Sequence, residues 1–99
     1  MQQLKIVPTD NLAHESSLDE IARQGARELL KHALSQEVSD YIQAHQGERD
    51  EHGHRLVVRN GKAAERTVTT SAGQIRLQAP RVLDRRDGEK FTSSILPPY

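Results

Sequence analysis

Ser17-Leu18-Asp19-Glu20-Ile21-Ala22-Arg23-Gln24-Gly25-Ala26-Arg27-Glu28-Leu29-Leu30-Lys31 is the stretch that decides the fold. Apolar residues recur through it and beyond, at Leu18, Ile21, Ala22, Ala26, Leu29, Leu30, Ala33, Leu34, Val38, Tyr41 and Ile42, with Gly25 filling a slot on the same face. This is helix spacing, and it predicts a helical segment over residues 17–46. Ser17 and Glu20 match a capping box, and Asp19 and Glu20 would sit at the positive end of the helix dipole. The repeat is close to four residues. Each step then turns about 400°, so the stripe drifts about 40° per step and wraps much of the helix. Such a helix touches partners on more than one side, or it breaks at Ser35 into a second helix through Ala44. One long or kinked helix is the reading favoured here, with Gly47 as a left-handed C-cap.

Upstream, residues 1–16 carry Pro8, Asp10, Asn11 and Ser16 with no apolar period and are expected to be a mobile leader. Downstream, residues 47–54 form a charged loop. It contains His52-Gly53-His54 with His45, Glu48, Asp50 and Glu51 nearby. Nothing fixes the ring orientations and no Cys completes a structural site, so no metal ligand is assigned. Residues 55–82 read as a basic β segment. Leu56-Val57-Val58-Arg59 is a short β-rich run closed by Asn60-Gly61, a strong turn dipeptide. Residues 65–70 and 74–79 flank Ser71-Ala72-Gly73 as a hairpin. Alternation points Val68, Ile75, Leu77 and Ala79 inward and Thr67, Thr69, Arg76 and Gln78 outward. Pro80 is expected to end the second strand. The fold class expected is α+β: a long or kinked N-terminal helix followed by a small antiparallel β-hairpin unit.

A chain of 99 residues is one small domain at most. Leu, Ile, Val and Phe fill 22 positions, there is one Phe and no Trp, and the core is thin. A chain this short buries only about 60–65 % of its surface, so a partner chain, a dimer or a missing domain is expected to complete it. No apolar run approaches a membrane span and no signal-peptide core is present, so no membrane partner is expected and the cytoplasm is the default location. Without Cys there is no disulfide framework or thiol nucleophile.

The zero net charge hides an asymmetry. Residues 1–50 carry a net −4 and residues 51–99 a net +4. Between His54 and Arg86 lie Arg55, Arg59, Lys62, Arg66, Arg76, Arg81, Arg85 and Arg86 against Glu65 and Asp84, a net +6. Guanidinium forks suit phosphate oxygens, so these eight are the candidate DNA-binding residues, although a solvated surface would carry the same pattern. Arg23, Arg27 and Lys31 form a second cationic row at helical spacing. Like charges four apart cost a little unless an anion lies opposite.

Several blocks together resemble one family. Leu18-Asp-Glu-Ile-Ala-Arg-Gln-Gly25, Arg55-Leu-Val-Val-Arg-Asn-Gly61, Ala64-Glu-Arg-Thr-Val68, Ala79-Pro-Arg-Val82, Asp84-Arg85, and Phe91 with Ile95-Leu-Pro-Pro-Tyr99 are similar in order and spacing to the N-terminal region of mutator-type bacterial insertion-sequence transposases. The resemblance covers about residues 17–99. It implies recognition of terminal inverted repeats in double-stranded DNA and support for assembly, by self-association or with transposase subunits. It also implies an RNase H-like catalytic domain elsewhere, whose two Asp and one Glu hold divalent metal, Mg²⁺, for attack on phosphodiesters. None of Asp19, Asp40, Asp50, Asp84 or Asp87 maps onto those positions, so no catalytic residue, metal ligand or cofactor is assigned to this chain. Residues 83–99 are read as a linker toward that absent domain, and the apolar ending Ile95-Leu-Pro-Pro-Tyr99 as a cut. A dimerising module that inhibits intact transposase, and a relic of a truncated gene, are the alternatives.

Overall fold

The computed structural model describes the backbone of residues 8–98 and the side chains of residues 17–98. One unbroken helix, α1, spans Pro8–Ala44. It begins at a proline, whose fixed φ suits the first helical turn. Ser17 and Glu20 therefore lie inside the helix, and the expected capping box does not start it. Of the expected leader, residues 8–16 are helical backbone and residues 1–7 lie outside the described residues. Ser35 does not break the helix. Its carbonyl and hydroxyl instead accept from Arg59 across the fold, at 3.0 and 3.3 Å. At the C-terminal end the turns tighten, with His45 N donating to Ile42 O and Gln46 N to Gln43 O. Gly47 is not among the glycines with positive φ, so this tightening replaces the left-handed cap.

Four strands follow: β1 (Val57–Lys62), β2 (Arg66–Thr70), β3 (Gly73–Leu77) and β4 (Pro80–Asp84). β2 pairs with β3 as the expected hairpin, with Val68 opposite Ile75 and Thr67 opposite Arg76. The turn is closed by Thr70, whose hydroxyl donates to Gly73 O and accepts from Ala72 N. β1 pairs with β4, antiparallel, with Val57 opposite Asp84 and Arg59 opposite Val82. The two ladders are thus nested in one ribbon. Ala63 N donates to Ala79 O across the interruption between them, at 2.8 Å.

This nesting corrects two expectations. Asn60-Gly61 makes no chain reversal, because the partner of β1 is β4 and the chain must run on to β2. The pairing steps from Arg59–Val82 to Lys62–Pro80, three residues on one strand against two on the other. The extra residue is a bulge, with Gly61 at φ 66° supplying the left-handed conformation a bulge needs. Pro80 opens β4 rather than ending β3, a position where its missing N–H costs no ladder bond.

The core lies where α1 crosses the ribbon. Leu34, Val68, Ile75 and Leu77 are buried together, with Ala26, Leu30, Ala79 and Leu96 packed around them. Val38 and Val57 are buried as well. The inward set expected for the hairpin is the observed one, with Ala79 at its margin. At about 1.5–3 kcal/mol for each large side chain buried, this small set provides most of the cohesion. Of residues 83–99, expected as a linker, residues 83–98 contribute the end of β4 and then return to the helix, and residue 99 lies outside the described residues. The Ser93 and Ser94 hydroxyls and the Ser94 amide donate to the Glu37 carboxylate. The N-terminal part of α1 extends past the ribbon, leaving Leu18, Ile21 and Leu29 two-thirds or more exposed (66, 68 and 73 %). The radius of gyration is 19.8 Å, against about 13 Å for a compact chain of this length.

Candidate nucleic-acid interface

The eight cations of the β segment divide by what their side chains meet. Arg86 is largely enclosed, its side chain 15 % exposed. It is held by the neighbouring Asp84: Nε donates to Oδ1 at 2.9 Å and Nη2 to Oδ2 at 2.8 Å, a two-pronged pair. Tyr41 on α1 donates its hydroxyl to Asp84 Oδ2 at 2.6 Å and accepts from Arg86 Nη2 at 2.8 Å. His45 Nδ1 lies 3.1 Å from Arg86 Nη1 and 2.6 Å from Glu48 Oε2. Phe91 packs edge-on against the Tyr41 ring, at 4.9 Å between centroids. The cluster clamps the C-terminal end of α1 to β4.

The electrostatics of the clamp follow from these bonds. Arg86, with help from the Tyr41 hydroxyl, holds the Asp84 carboxyl well below the usual carboxylate range against the opposing effect of burial. Asp84 in turn raises the Arg86 guanidinium above its ordinary value. The bond from Tyr41 to Asp84, followed by burial, pushes the phenol up.

Three further arginines brace the ribbon. Arg59 Nη2 donates to Ser39 Oγ at 2.7 Å as well as to Ser35, fixing β1 to the helix. Arg85 Nη2 donates to Arg55 O at 2.6 Å, and its Nη1 lies 3.5 Å from Asp50 Oδ2. Asp50 also accepts from the amides of His52 and His54, and the His54 amide contributes most to lowering its carboxyl. Arg66 Nη2 donates to Pro97 O, tying β2 to the returning C-terminal segment.

The rest face outward. Lys62 is exposed on the bulge and Arg55 beside the loop. Arg55 and Arg59 share the wall of a groove of about 440 Å³ with Ser39 and Gln43 of α1 and Gln46 just past its end. Arg81 is exposed, its Nε donating to Asn60 O at 3.2 Å. Arg76 stands on the outer hairpin face with Thr67, Thr69 and Gln74, in a 2.6 Å pair with Glu65 that is largely solvated. The eight cations are therefore spread along the ribbon and not gathered into one patch.

The helical row arrives next to Arg76. Arg27 Nε donates to Arg76 O at 3.0 Å, and its Nη1 donates to Gln24 Oε1. Arg23 lays its stem against Gly73, its Cδ 3.4 Å from where a Cβ would stand. No local pattern in the sequence marks Tyr41, His45 and Glu48 as partners of Arg86. The one available signal was Asp84 two residues before it.

No group of three His, Cys, Asp or Glu side chains that could hold a metal occurs among the described residues. Asp84 is committed to Arg86 and Tyr41, and Asp50 to loop amides, so these carboxylates do not fit a divalent metal pair and no step is derived through one. No described helix is long and apolar enough to cross a membrane. No curated protein and no solved structure matches the chain significantly. The profile of the family described as "Transposase, Mutator family" matches residues 1–99, from the first residue to the last, and the chain belongs to that family.

Proposed function

We propose that this chain is a DNA-binding and assembly element of a mutator-family transposase, recognising the terminal inverted repeats of its element in the bacterial cytoplasm. Family membership supports a role in transposition. The observation that carries the finer reading is the two-sided hairpin. Its inner face buries Val68, Ile75 and Leu77, while its outer face presents Thr67, Thr69, Gln74 and Arg76. Hydroxyl, amide and guanidinium groups on a rigid ribbon are the donors that contact phosphates and base edges. Arg55, Lys62 and Arg81 extend this outward cationic surface, whereas Arg59, Arg66, Arg85 and Arg86 hold the surface in shape.

No carboxylate of the chain is assigned a catalytic role, so the chain alone is expected neither to cut nor to join DNA. The test is a gel shift against the terminal repeat beside a scrambled duplex. Preferential retardation of the repeat supports the reading, and equal or absent retardation rejects sequence recognition. A second reading is favoured by Leu18, Ile21 and Leu29, which stand exposed on one side of α1. Through them the chain would associate with itself or with intact transposase and modulate assembly. Sedimentation of Leu18→Gln/Ile21→Gln beside the parent chain checks it, since an unchanged oligomeric state removes the apolar face as an interface.

A further inference from the structure

Arg23, Arg27 and Lys31 repeat every four residues, an arrangement that is unfavourable in isolation. Among the described residues Lys31 has Glu28 at 3.8 Å, but Arg23 and Arg27 pair with no carboxylate. The bonds of Arg27 go to a neutral amide and a backbone carbonyl. The fold could have turned this row to open solvent. It instead lays Arg23 and Arg27 of the row against β3, Arg27 reaching the Arg76 carbonyl and Arg23 lying over Gly73 at the hairpin turn.

We infer that the seam between α1 and β3 is a phosphate track, in which Arg23 and Arg27, with Arg76 on the adjoining hairpin face, take the backbone of a DNA duplex lying along the helix. The inference rests on the DNA-binding reading and gives it a place. Arg23 and Arg27 are one helical turn apart, about 6 Å along the axis, and so form a repeating cationic edge. Thr67 and Thr69 are exposed beside Arg76 on the hairpin face and supply neutral donors to the same backbone. A phosphate opposite the row removes the like-charge penalty that the free chain carries. Leu29, two residues after Arg27, points about 200° round the helix, so the exposed apolar side is turned away from this track. Of the β-segment cations, Arg76 thus adjoins the helical row along the edge of β3.

The test is the salt dependence of affinity of the whole chain for a labelled duplex, read by anisotropy between about 50 and 200 mM salt. Arg23→Gln/Arg27→Gln is expected to lower the magnitude of the slope of log K against log salt by about 1.8, and Arg23→Lys/Arg27→Lys to retain it. If the double Gln variant loses helicity, Arg23→Gln alone, which keeps the Arg27 bond, is expected to lower the slope by about 0.9. A parent chain that shows no salt-dependent binding removes the DNA reading itself. A parent chain that binds, with slopes unchanged in the Arg23 and Arg27 variants but lowered in Arg55→Gln/Lys62→Gln, overturns the seam and leaves the DNA reading standing.

Discussion

The two ladders of the ribbon contain similar sequence, short β-prone runs punctuated by arginine, yet they are held against α1 by different means. The β2–β3 hairpin packs Val68, Ile75 and Leu77 onto Leu34 and leaves Arg76 outside. The β1–β4 ladder has Val57 as its one fully buried side chain and is joined to the helix through polar groups, Arg59 on Ser35 and Ser39, and Asp84 with Arg86 on Tyr41. A chain with few large apolar residues can thus close its second half with guanidinium forks. The charge visible in the sequence is then partly absorbed by the fold. What remains outside, at Arg55, Lys62, Arg76 and Arg81, is exposed to solvent.

The largest effect is expected at Leu34, which carries the hairpin. Leu34→Ala removes the side chain on which the hairpin rests and is expected to cost about 2–5 kcal/mol, enough to abolish cooperative unfolding in a core this thin. Urea titration followed by circular dichroism checks this, and a normal midpoint would mean that the hairpin does not depend on the helix.

Next is Arg86→Met, which keeps the aliphatic stem but leaves the Asp84 carboxylate and the Tyr41 hydroxyl without their cation. The melting temperature should fall clearly, and further than for Arg81→Met, where a single exposed bond to Asn60 O is lost. Equal small shifts in both variants would show that the clamp is not holding β4.

The same clamp makes the stability depend on acid. Asp84 has its folded carboxyl lowered by Arg86. The stabilisation is therefore fully present above the unfolded carboxylate value, about 4, and is lost as pH falls below it toward the lowered folded value. Asp50 and Glu37 add in the same direction. For Glu37 burial alone would raise the carboxyl, but the bonds from Ser93 and Ser94 outweigh it. Melting curves of Asp84→Asn should begin lower and change less between about pH 5 and pH 2 than those of the parent. An acid limb as steep in Asp84→Asn as in the parent would place the acid sensitivity elsewhere.

The smallest effect on stability belongs to the other ladder. Arg76→Gln removes an exposed pair with Glu65, worth about 0–1 kcal/mol, so the melting temperature should hardly move while duplex binding weakens. A variant that melts early but binds normally would exchange the roles assigned to the two ladders.

Much of this arrangement is legible in the residues. Spacing at Leu30, Leu34 and Val38 marks the helix, and alternation through Val68, Ile75 and Leu77 marks the hairpin with its inner face. The helix start is not legible, because residues 8–16 are helical without an apolar period. The pairing of β1 with β4 is not legible either, because it joins Val57 to Asp84 over a long sequence separation and no local signal carries register that far. Asn60-Gly61 misleads for the same reason: a left-handed glycine serves a bulge as well as a turn. For the candidate interface, the sequence shows which residues are cations but not which cations are occupied. An arginine destined for a carboxylate and one destined for a phosphate have the same local signature, and only the fold places Arg86 on Asp84 and brings Arg27 to Arg76.

The proposed division of the arginines, into those that hold the fold and those that would meet DNA, is most directly tested by the arginine Nε–Hε resonances of the chain, followed as duplex is added. The resonances of Arg23, Arg27 and Arg76 are expected to shift with saturation, and those of Arg59 and Arg86 to stay in place and exchange slowly with solvent. Movement of Arg59 and Arg86 with Arg76 unmoved, or a spectrum that duplex leaves unchanged throughout, would contradict that division.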